Sequence, residues 1–293
     1  MKKILFLGLF IMSVNFGCSA TIDQYFIIGI GNQSSQLGFT NDYGEAYGPV
    51  SISEFKNEIY ILDDLNQRIN VYSFQGKYKK SIGIPKELGI YQDLAVNSKG
   101  EILLLTNNGI YKLFENKKIK KLYDIPGSIS TPYYIIVDKL GNIALNGLSK
   151  PGEKMGVTSG IFTTKGEFKE LNSYVILLSL KGLIGLKKAG NIFTILENGK
   201  IYSEFVLSSD KVLPFGLNDN LEIYCTEPTE KGHKFYKLNK NGKKISDEKD
   251  IEFSSALLGD DSINLRSFRL SSQGNIICLD ANKDRCRVWV IHF

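Results

Sequence analysis

Residues 48–84 read GPVSISEFKNEIYILDDLNQRINVYSFQGKYKKSIGI. Four short segments rich in β-branched and aromatic residues alternate with polar turns that contain Asn or Gly. Within residues 58–62 the apolar positions follow the strand period of two, and no helical period of 3.6 competes with it. Gly and Asn supply the permissive backbone that a tight hairpin needs. The stretch therefore predicts four antiparallel strands joined by short turns.

The first of these turns recurs along the chain. Each copy has an apolar strand, a polar turn with Gly or Asn, and a second apolar strand. The turn residues are Asn57, Gly100, Gly141, Gly182, Asn220 and Gly274, at spacings of 43, 41, 41, 38 and 54 residues. A period of about 40–50 residues with several short strands per unit is typical of a β-propeller blade.

Six units follow from this period. They span residues 49–84, 90–125, 132–173, 174–208, 213–253 and 264–293. The last unit lacks a fourth strand, while residues 24–30 form a spare strand ahead of the first. Because an open ring would expose an unpaired strand edge, the spare strand should complete the last blade. We predict an all-β, six-bladed propeller of four-stranded antiparallel blades, a single domain over residues 24–293.

The start of the chain predicts export. Lys2 and Lys3 precede the 11-residue apolar run at 4–14, which is too short to span a bilayer and fits a secretory signal peptide. Cleavage before Cys18 would remove residues 1–17, lipidate Cys18 and leave a tether at 18–23. Cleavage after Ala20 would give a periplasmic or secreted protein, and an uncleaved anchor is a third reading. We expect a cell-envelope lipoprotein.

Composition excludes several classes of function. The chain has 293 residues, of which 43% are hydrophobic and 23% charged, so it is neither disordered nor collagen-like. Removing residues 1–17 deletes two lysines and no acidic residue, which lowers the net charge from +5 to +3. With no arginine-rich stripe we expect no nucleic-acid partner. Four cysteines do not form a disulfide scaffold, and Cys278 and Cys286, which flank one hairpin, are either a disulfide or buried free thiols.

Residues 48–84 resemble an NHL repeat, with Gly-Pro, an IYIxD strand, Asn-x-Arg and an apolar strand before a Gly turn. Asp63, Asn66 and Arg68 occupy the polar positions of the motif. The last unit repeats the pattern as CLDANKDRCRVWV. Its polar set is Asp280, Asn282 and Arg285. The resemblance implies that these residues hold turns together, with the Arg paired to the Asp across its hairpin, and are not catalytic.

The resemblance also implies where a ligand binds. In propellers of this kind the first strand of each blade lines a central channel, and the loops that enter those strands form one face. Long loops with aromatics are more often functional than short ones, and the two longest entry loops are residues 31–48 and 254–264. Their candidate ligand-binding residues are Phe39, Asp42, Tyr43, Glu45, Tyr47, Asp260 and Asp261.

Some six-bladed relatives are enzymes that use a divalent metal or several histidines. This chain has only His233 and His292, so a three-histidine site is excluded, and no spaced metal motif is present. We expect an anchored, non-catalytic, monomeric binding protein for an envelope or extracellular protein, peptide or glycan, without a cofactor and with membrane contact only through its anchor. The alternative is a metal-dependent hydrolase or lactonase with a carboxylate site at the channel mouth. Its Ca²⁺ would bind Asp42, Glu45, Asp260 or Asp261.

Overall fold

The structure is a computed structural model and describes residues 21–42, 45–49, 51–150, 157–171, 175–179, 184–197, 200–252 and 267–293. Within these residues the regular structure is almost entirely β-strand, with one 3-10 turn at Lys86–Leu88. No helix in this part of the chain has the length and apolar character needed to cross a membrane.

Six four-stranded antiparallel sheets form the ring, which confirms the predicted propeller. The small hairpin of β2 and β3 lies outside the six sheets. In chain order the strands are β1 Thr21–Gly29, β2 Thr40–Asp42, β3 Glu45–Tyr47, β4 Ser51–Phe55, β5 Glu58–Asp63, β6 Arg68–Ser73, β7 Tyr78–Gly83, β8 Tyr91–Val96, β9 Ile102–Thr106, β10 Gly109–Leu113, β11 Ile119–Asp124, β12 Ile129–Val137, β13 Ile143–Ser149, β14 Val157–Phe162, β15 Phe168–Glu170, β16 Val175–Leu178, β17 Ile184–Ala189, β18 Ile192–Glu197, β19 Lys200–Val206, β20 Leu213–Leu217, β21 Ile223–Pro228, β22 Gly232–Leu238, β23 Lys249–Glu252, β24 Phe268–Leu270, β25 Ile276–Ala281 and β26 Arg285–His292.

Blades 1 to 5 are each built from four consecutive strands, β4–β7, β8–β11, β12–β15, β16–β19 and β20–β23. Blade 6 has the strand order β1-β26-β25-β24, so the N-terminal strand closes the ring as predicted. β1 pairs with β26 from Thr21 opposite His292 to Gly29 opposite Arg285. It begins three residues before the predicted start at residue 24. The core lies between blades, where Ile52 and Ile59 of blade 1 are buried in one cluster with Val288 of blade 6.

Polar residues of the repeat motif bind the segment that follows β1 to blade 1 through hydrogen bonds. Arg68 donates from Nε to Asp63 Oδ2 at 3.1 Å, and from Nη2 to the carbonyls of Gln33 and Gln36 at 2.7 Å each. Asn70 Nδ2 also donates to the Gln36 carbonyl at 2.7 Å. The Asp63–Arg68 pair therefore joins blade 1 to the segment that leaves the closing strand.

The equivalent corner of blade 6 uses a different arginine from the one predicted. Asp280 accepts from Arg287 Nε at 2.8 Å, and Arg287 lies directly opposite Asp280 in the register. Arg285 is exposed, and its N–H donates to the side chain of Asn282 at 3.0 Å. In blade 1 the ladder ends at the pair of Asp63 and Arg68, whereas in blade 6 it continues one pair beyond Asp280, to Ala281 opposite Cys286. The residue that faces Asp280 is therefore Arg287, and the predicted Arg285 pairing is wrong.

Several turns between first and second strands are held by the same kind of hydrogen bond, in which a side-chain oxygen accepts backbone N–H groups. Asn97 Oδ1 accepts the N–H groups of Lys99 and Glu101 at 2.9 Å, and Asn218 and Ser271 hold the corresponding turns in blades 5 and 6. Gly100 has φ of +79°, and a Cβ there would lie 2.7 Å from the Phe55 ring. We call the side of the ring formed by the turns at 56–57, 97–100, 138–141, 218–221 and 271–274 the turn face. The opposite side, where the chain enters each first strand, is the loop face.

Cys225, Cys278 and Cys286 are buried free thiols. Cys278 lies opposite Trp289, whereas Cys286 lies opposite Ala281, and the two cysteines belong to different core clusters. Burial raises the pKa of both thiols well above the usual value. The disulfide reading of this pair is therefore wrong.

Candidate active site

A buried charged side chain occupies the middle of the channel. Asp93, on the first strand of blade 2, has no exposed surface. Its carboxylate accepts the hydroxyl of Ser51 in blade 1 and, at 2.7 Å, the N–H of Ile135 in blade 3. Burying a carboxylate is costly unless it is paired and hydrogen-bonded. Asp93 meets this condition by drawing together the first strands of three neighbouring blades.

The counter-ion comes from the other end of the chain. Arg269 of blade 6, 176 residues away in sequence, places Nη2 at 2.6 Å and 2.8 Å from the two carboxylate oxygens of Asp93. Its Cζ lies 4.2 Å from the centroid of the Tyr134 ring, a cation–π geometry. Burial raises the pKa of Tyr134 to about 12, so this ring is a neutral phenol. We call Ser51, Asp93, Tyr134 and Arg269 the hub.

Serine side chains also connect the first strands of blades 1 and 2 through hydrogen bonds. Ser51 Oγ accepts the N–H of Leu94 at 3.2 Å, and Ser53 Oγ accepts the N–H of Val96 at 3.0 Å. Both serines are buried. These bonds hold β4 against β8, so the blade 1 and blade 2 walls of the channel are fixed relative to each other.

Beyond the hub, the channel opens on the turn face into a cavity of about 460 Å³. This volume lies within the range of small-molecule sites. The cavity is lined by the ends of first strands and by their turns in blades 1, 2, 3 and 6, with one residue of blade 5. Arg269 lines it as well, so a residue of the hub borders the space that a ligand would fill. We call this space the mouth cavity.

Carboxylate and amide side chains gather at the mouth cavity. Glu54, Asn97 and Asp219 line it, from blades 1, 2 and 5. Glu54 accepts the N–H groups of Ser272 and Asn57 at 2.9 Å and 3.0 Å. It therefore bridges the turns of blades 1 and 6. Such a group of carboxylate and amide side chains at the channel mouth is what distinguishes a hydrolytic site from a purely aromatic binding surface.

The described residues do not fit a calcium ion. No group of three or more His, Cys, Asp or Glu side chains converges in the described ranges. At the mouth cavity Glu54 already accepts backbone N–H groups, and Arg269 would repel a dication.

The structure places the predicted loop-face residues as follows. Phe39 is half-buried and packs against the core cluster between blades 6 and 1, so its ring contributes to packing. The backbones of Asp42 and Glu45 pair across the β2–β3 hairpin, and Tyr47 is 50% exposed. Three of the predicted residues lie outside the described residues: Tyr43, Asp260 and Asp261.

Histidine is not part of the mouth cavity lining. His233 is buried, with Nδ1 at 3.0 Å from the Thr226 hydroxyl and its ring centroid 5.1 Å from that of Phe268. His292 lies on β26, opposite Thr21 of the closing strand. The two histidines therefore lie on different blades, His233 on blade 5 and His292 on blade 6.

Sequence reasoning missed the hub and the mouth cavity. Asp93 and Arg269 each stand inside an apolar strand, YQDLAV and FRL. A charge at a buried strand position is rare unless it is paired. Two of the six first strands contain such a charge, and this feature of the sequence could have indicated an ion pair in the channel.

Several solved structures share this fold. A streptogramin B lyase is 17% identical, with a TM-score of 0.57 over 92% of this chain and 98% of that chain. A gluconolactonase from Xanthomonas campestris is 9% identical, with a TM-score of 0.53 over 90% and 97%. The calcium-binding protein regucalcin from Agrobacterium tumefaciens is 9% identical, with a TM-score of 0.57 over 83% and 90%. At these identities the likeness shows the fold alone.

No family model and no curated protein sequence matches the chain. The resemblance to NHL repeats therefore has no support from a family model, whereas the six-bladed propeller stands. Because structures with this fold include a lyase and a gluconolactonase, the expectation of a non-catalytic binding protein is wrong.

Proposed function

We propose that this protein is a hydrolase of lactones or related esters, with its reaction site in the mouth cavity. The observation that carries the proposal is that Asp219, Glu54 and Arg269 line one cavity at the end of the channel. Ester hydrolysis needs a base that activates water and a cation or donor that stabilises the oxyanion. The cavity offers both kinds of group.

We assign the role of base to Asp219, which lines the cavity from the blade 5 turn. Glu54 accepts two backbone N–H groups and the Ser272 hydroxyl, which holds it in a structural role. Asp219 would accept a proton from water as the water oxygen bonds to the lactone carbonyl carbon. When the ring C–O bond breaks, the protonated Asp219 would return that proton to the leaving alkoxide, and the product is a hydroxy acid.

Arg269 would stabilise the negative charge that develops on the carbonyl oxygen. A guanidinium stays protonated at any working pH, and in a buried site its field is weakly screened. Asp93 serves as a positioning residue, since it holds Arg269 Nη2 at 2.6 Å and 2.8 Å. Such a preorganised cation costs little reorganisation when the charge forms.

The test is lactone hydrolysis followed in a pH-stat, with γ-butyrolactone and γ-decalactone as substrates. Loss of a general base in Asp219→Asn should lower kcat/KM by roughly 10²- to 10⁴-fold. The matched control is Asp284→Asn, an exposed aspartate on the opposite face, which should keep full activity, as should His233→Ala if it remains folded. Equal activity in Asp219→Asn and Asp284→Asn would refute the assignment.

We also propose that the protein is exported and anchored through Cys18, with NHL-like motifs in blades 1 and 6 as remnants of its repeat origin. The basic and apolar residues at 2–14 and the Gly-Cys pair at 17–18 support export and lipidation. Since β1 begins at Thr21, the tether from Cys18 would reach about 10 Å. Fractionation of Cys18→Ser tests the anchor: with the signal peptide cleaved, the variant should leave the membrane fraction, and retention there would contradict lipidation.

A further inference from the structure

We infer that the substrate of the mouth cavity is a lactone or ester with an apolar chain, and not a polyhydroxylated sugar lactone. The inference rests on the proposed function. It concerns the chemical class that the cavity walls select, and it can fail while hydrolysis itself stands.

The cavity has an apolar wall that repeats around the ring. The last residue of the first strand is apolar in each of four blades that line it: Phe55, Val96, Val137 and Leu270. Phe55, Val96 and Leu270 are only half-buried, so part of each side chain faces the cavity. Covering such surface releases about 25 cal/mol per Å², which rewards a ligand with an apolar chain.

Three of the polar side chains in the same wall, those of Ser53, Glu54 and Asn97, are committed to hydrogen bonds within the protein. Asn97 Oδ1 accepts two backbone N–H groups, and its amide donates to Glu101 at 2.7 Å. Ser53 Oγ accepts the Val96 N–H, and Glu54 accepts from Ser272 and Asn57. A sugar lactone must exchange the hydration of several hydroxyls for hydrogen bonds to the site, and each unpaired hydroxyl is costly. The wall therefore disfavours such a substrate.

The polar and apolar parts of the cavity are arranged so that they favour one orientation of a bound lactone. Arg269, a residue of the hub, is 7% exposed and lies at the inner end of the cavity. The apolar residues end the first strands, closer to the turns. A lactone would enter with its ester carbonyl toward Arg269 and its chain along Phe55, Val96 and Leu270. A cavity of about 460 Å³ accommodates a drug-sized ligand, so a chain of several carbons fits.

The experiment measures kcat/KM for γ-butyrolactone, γ-hexalactone, γ-octalactone, γ-decalactone and glucono-δ-lactone. We expect kcat/KM to rise about fourfold per added methylene until the wall is filled, with glucono-δ-lactone at the bottom of the series. Leu270→Asn should lower kcat/KM for γ-decalactone about tenfold or more, a larger loss than for γ-butyrolactone. The near-isosteric Val96→Thr is the second variant should Leu270→Asn fail to fold. Val206→Thr, on the exposed outer strand of blade 4, is the control.

A binding measurement separates failure of this inference from failure of the proposed function. Sodium octanoate and sodium gluconate are titrated into the full chain by calorimetry. Octanoate binding that Val96→Thr weakens, without gluconate binding, supports the apolar site even if no lactone is hydrolysed. Preferred hydrolysis of glucono-δ-lactone, or gluconate binding without octanoate binding, would overturn the inference while leaving a hydrolase in place. Binding of neither anion together with a flat chain-length series also overturns it.

Discussion

The middle of the channel and its mouth on the turn face are built from the same strands but carry opposite chemistry. In the middle, Asp93 and Arg269 form a dry ion pair that Ser51 and Tyr134 complete. At the mouth, three or four positions further along the strands, Phe55 and Val96 present apolar surface. The comparison indicates that the ion pair in the channel stabilises the ring, while the ends of the same strands leave an apolar wall that a ligand can contact.

The largest effect should follow from removing the strand on which both regions depend. A chain that starts at Ile30 lacks β1, so β26 becomes an unpaired edge and blade 6 loses Ile28 from the core. We expect its melting temperature to fall by roughly 10 °C or more. The melting temperature is read by circular dichroism.

A circular permutant provides the control for that deletion. Thr21 lies opposite His292, so a short turn from Phe293 to Thr21, with the new start at Ile30, restores the strand as a hairpin. The permutant should recover most of the lost stability. An unchanged melting temperature in the deleted chain would show that β1 does not close the ring.

The next largest effect tests the middle of the channel. Asp93→Asn leaves Arg269 as a buried charge without its counter-ion, and the loss of one partner of a buried pair costs about 3–5 kcal/mol. Urea unfolding at pH 7 measures the free energy of unfolding. The double variant Asp93→Leu/Arg269→Met should be more stable than Asp93→Asn, because it removes both charges. Equal stability of Asp93→Asn and the parent would mean that the hub does not hold the ring.

A smaller effect on stability is expected at the mouth. Glu54→Gln removes the charge that accepts the N–H groups of Ser272 and Asn57, and the partly exposed site lets water replace the lost bonds. We expect a loss of about 1 kcal/mol in the free energy of unfolding. A loss as large as that of Asp93→Asn would erase the contrast between the two regions.

The smallest effect lies on the outer rim, away from both regions. Lys79 Nζ is 2.7 Å from Glu58 Oε1, and this bond lowers the pKa of the Glu58 carboxyl below its usual range. Because the pKa is lower in the folded state, the pair stabilises the protein above the unfolded pKa of Glu and ceases to do so as the pH falls through the folded value. Lys79→Met should cost less than about 1 kcal/mol at pH 7 and nothing at pH 2. A larger loss at pH 2 than at pH 7 would contradict the sign.

These contrasts also separate what sequence could predict from what it could not. The six blades follow from the period of the turns along the chain. The closing strand follows from the last unit, which has only three strands, the third of them containing Trp289 and His292. Asp93 and Arg269 could not be paired in this way, because 176 residues separate them and only ring closure brings them together. The length of the entry loops predicted a ligand-binding site on the loop face, around Tyr47. The mouth cavity is instead made of tight turns, which carry no such length signal.

The central claim is that the reaction takes place on the turn face. It is tested by blocking each face with one bulky maleimide label. In a Cys18→Ser background the three remaining cysteines are buried, so Ser98→Cys at the mouth cavity or Asp284→Cys on the opposite face supplies a single exposed thiol. Hydrolysis of γ-decalactone is measured before and after labelling. We expect the label at position 98 to reduce kcat/KM at least about tenfold, because a bulky group there would keep the substrate from its reactive position, and the label at 284 to leave kcat/KM unchanged. Loss of activity with the label at 284 alone would contradict a reaction site on the turn face.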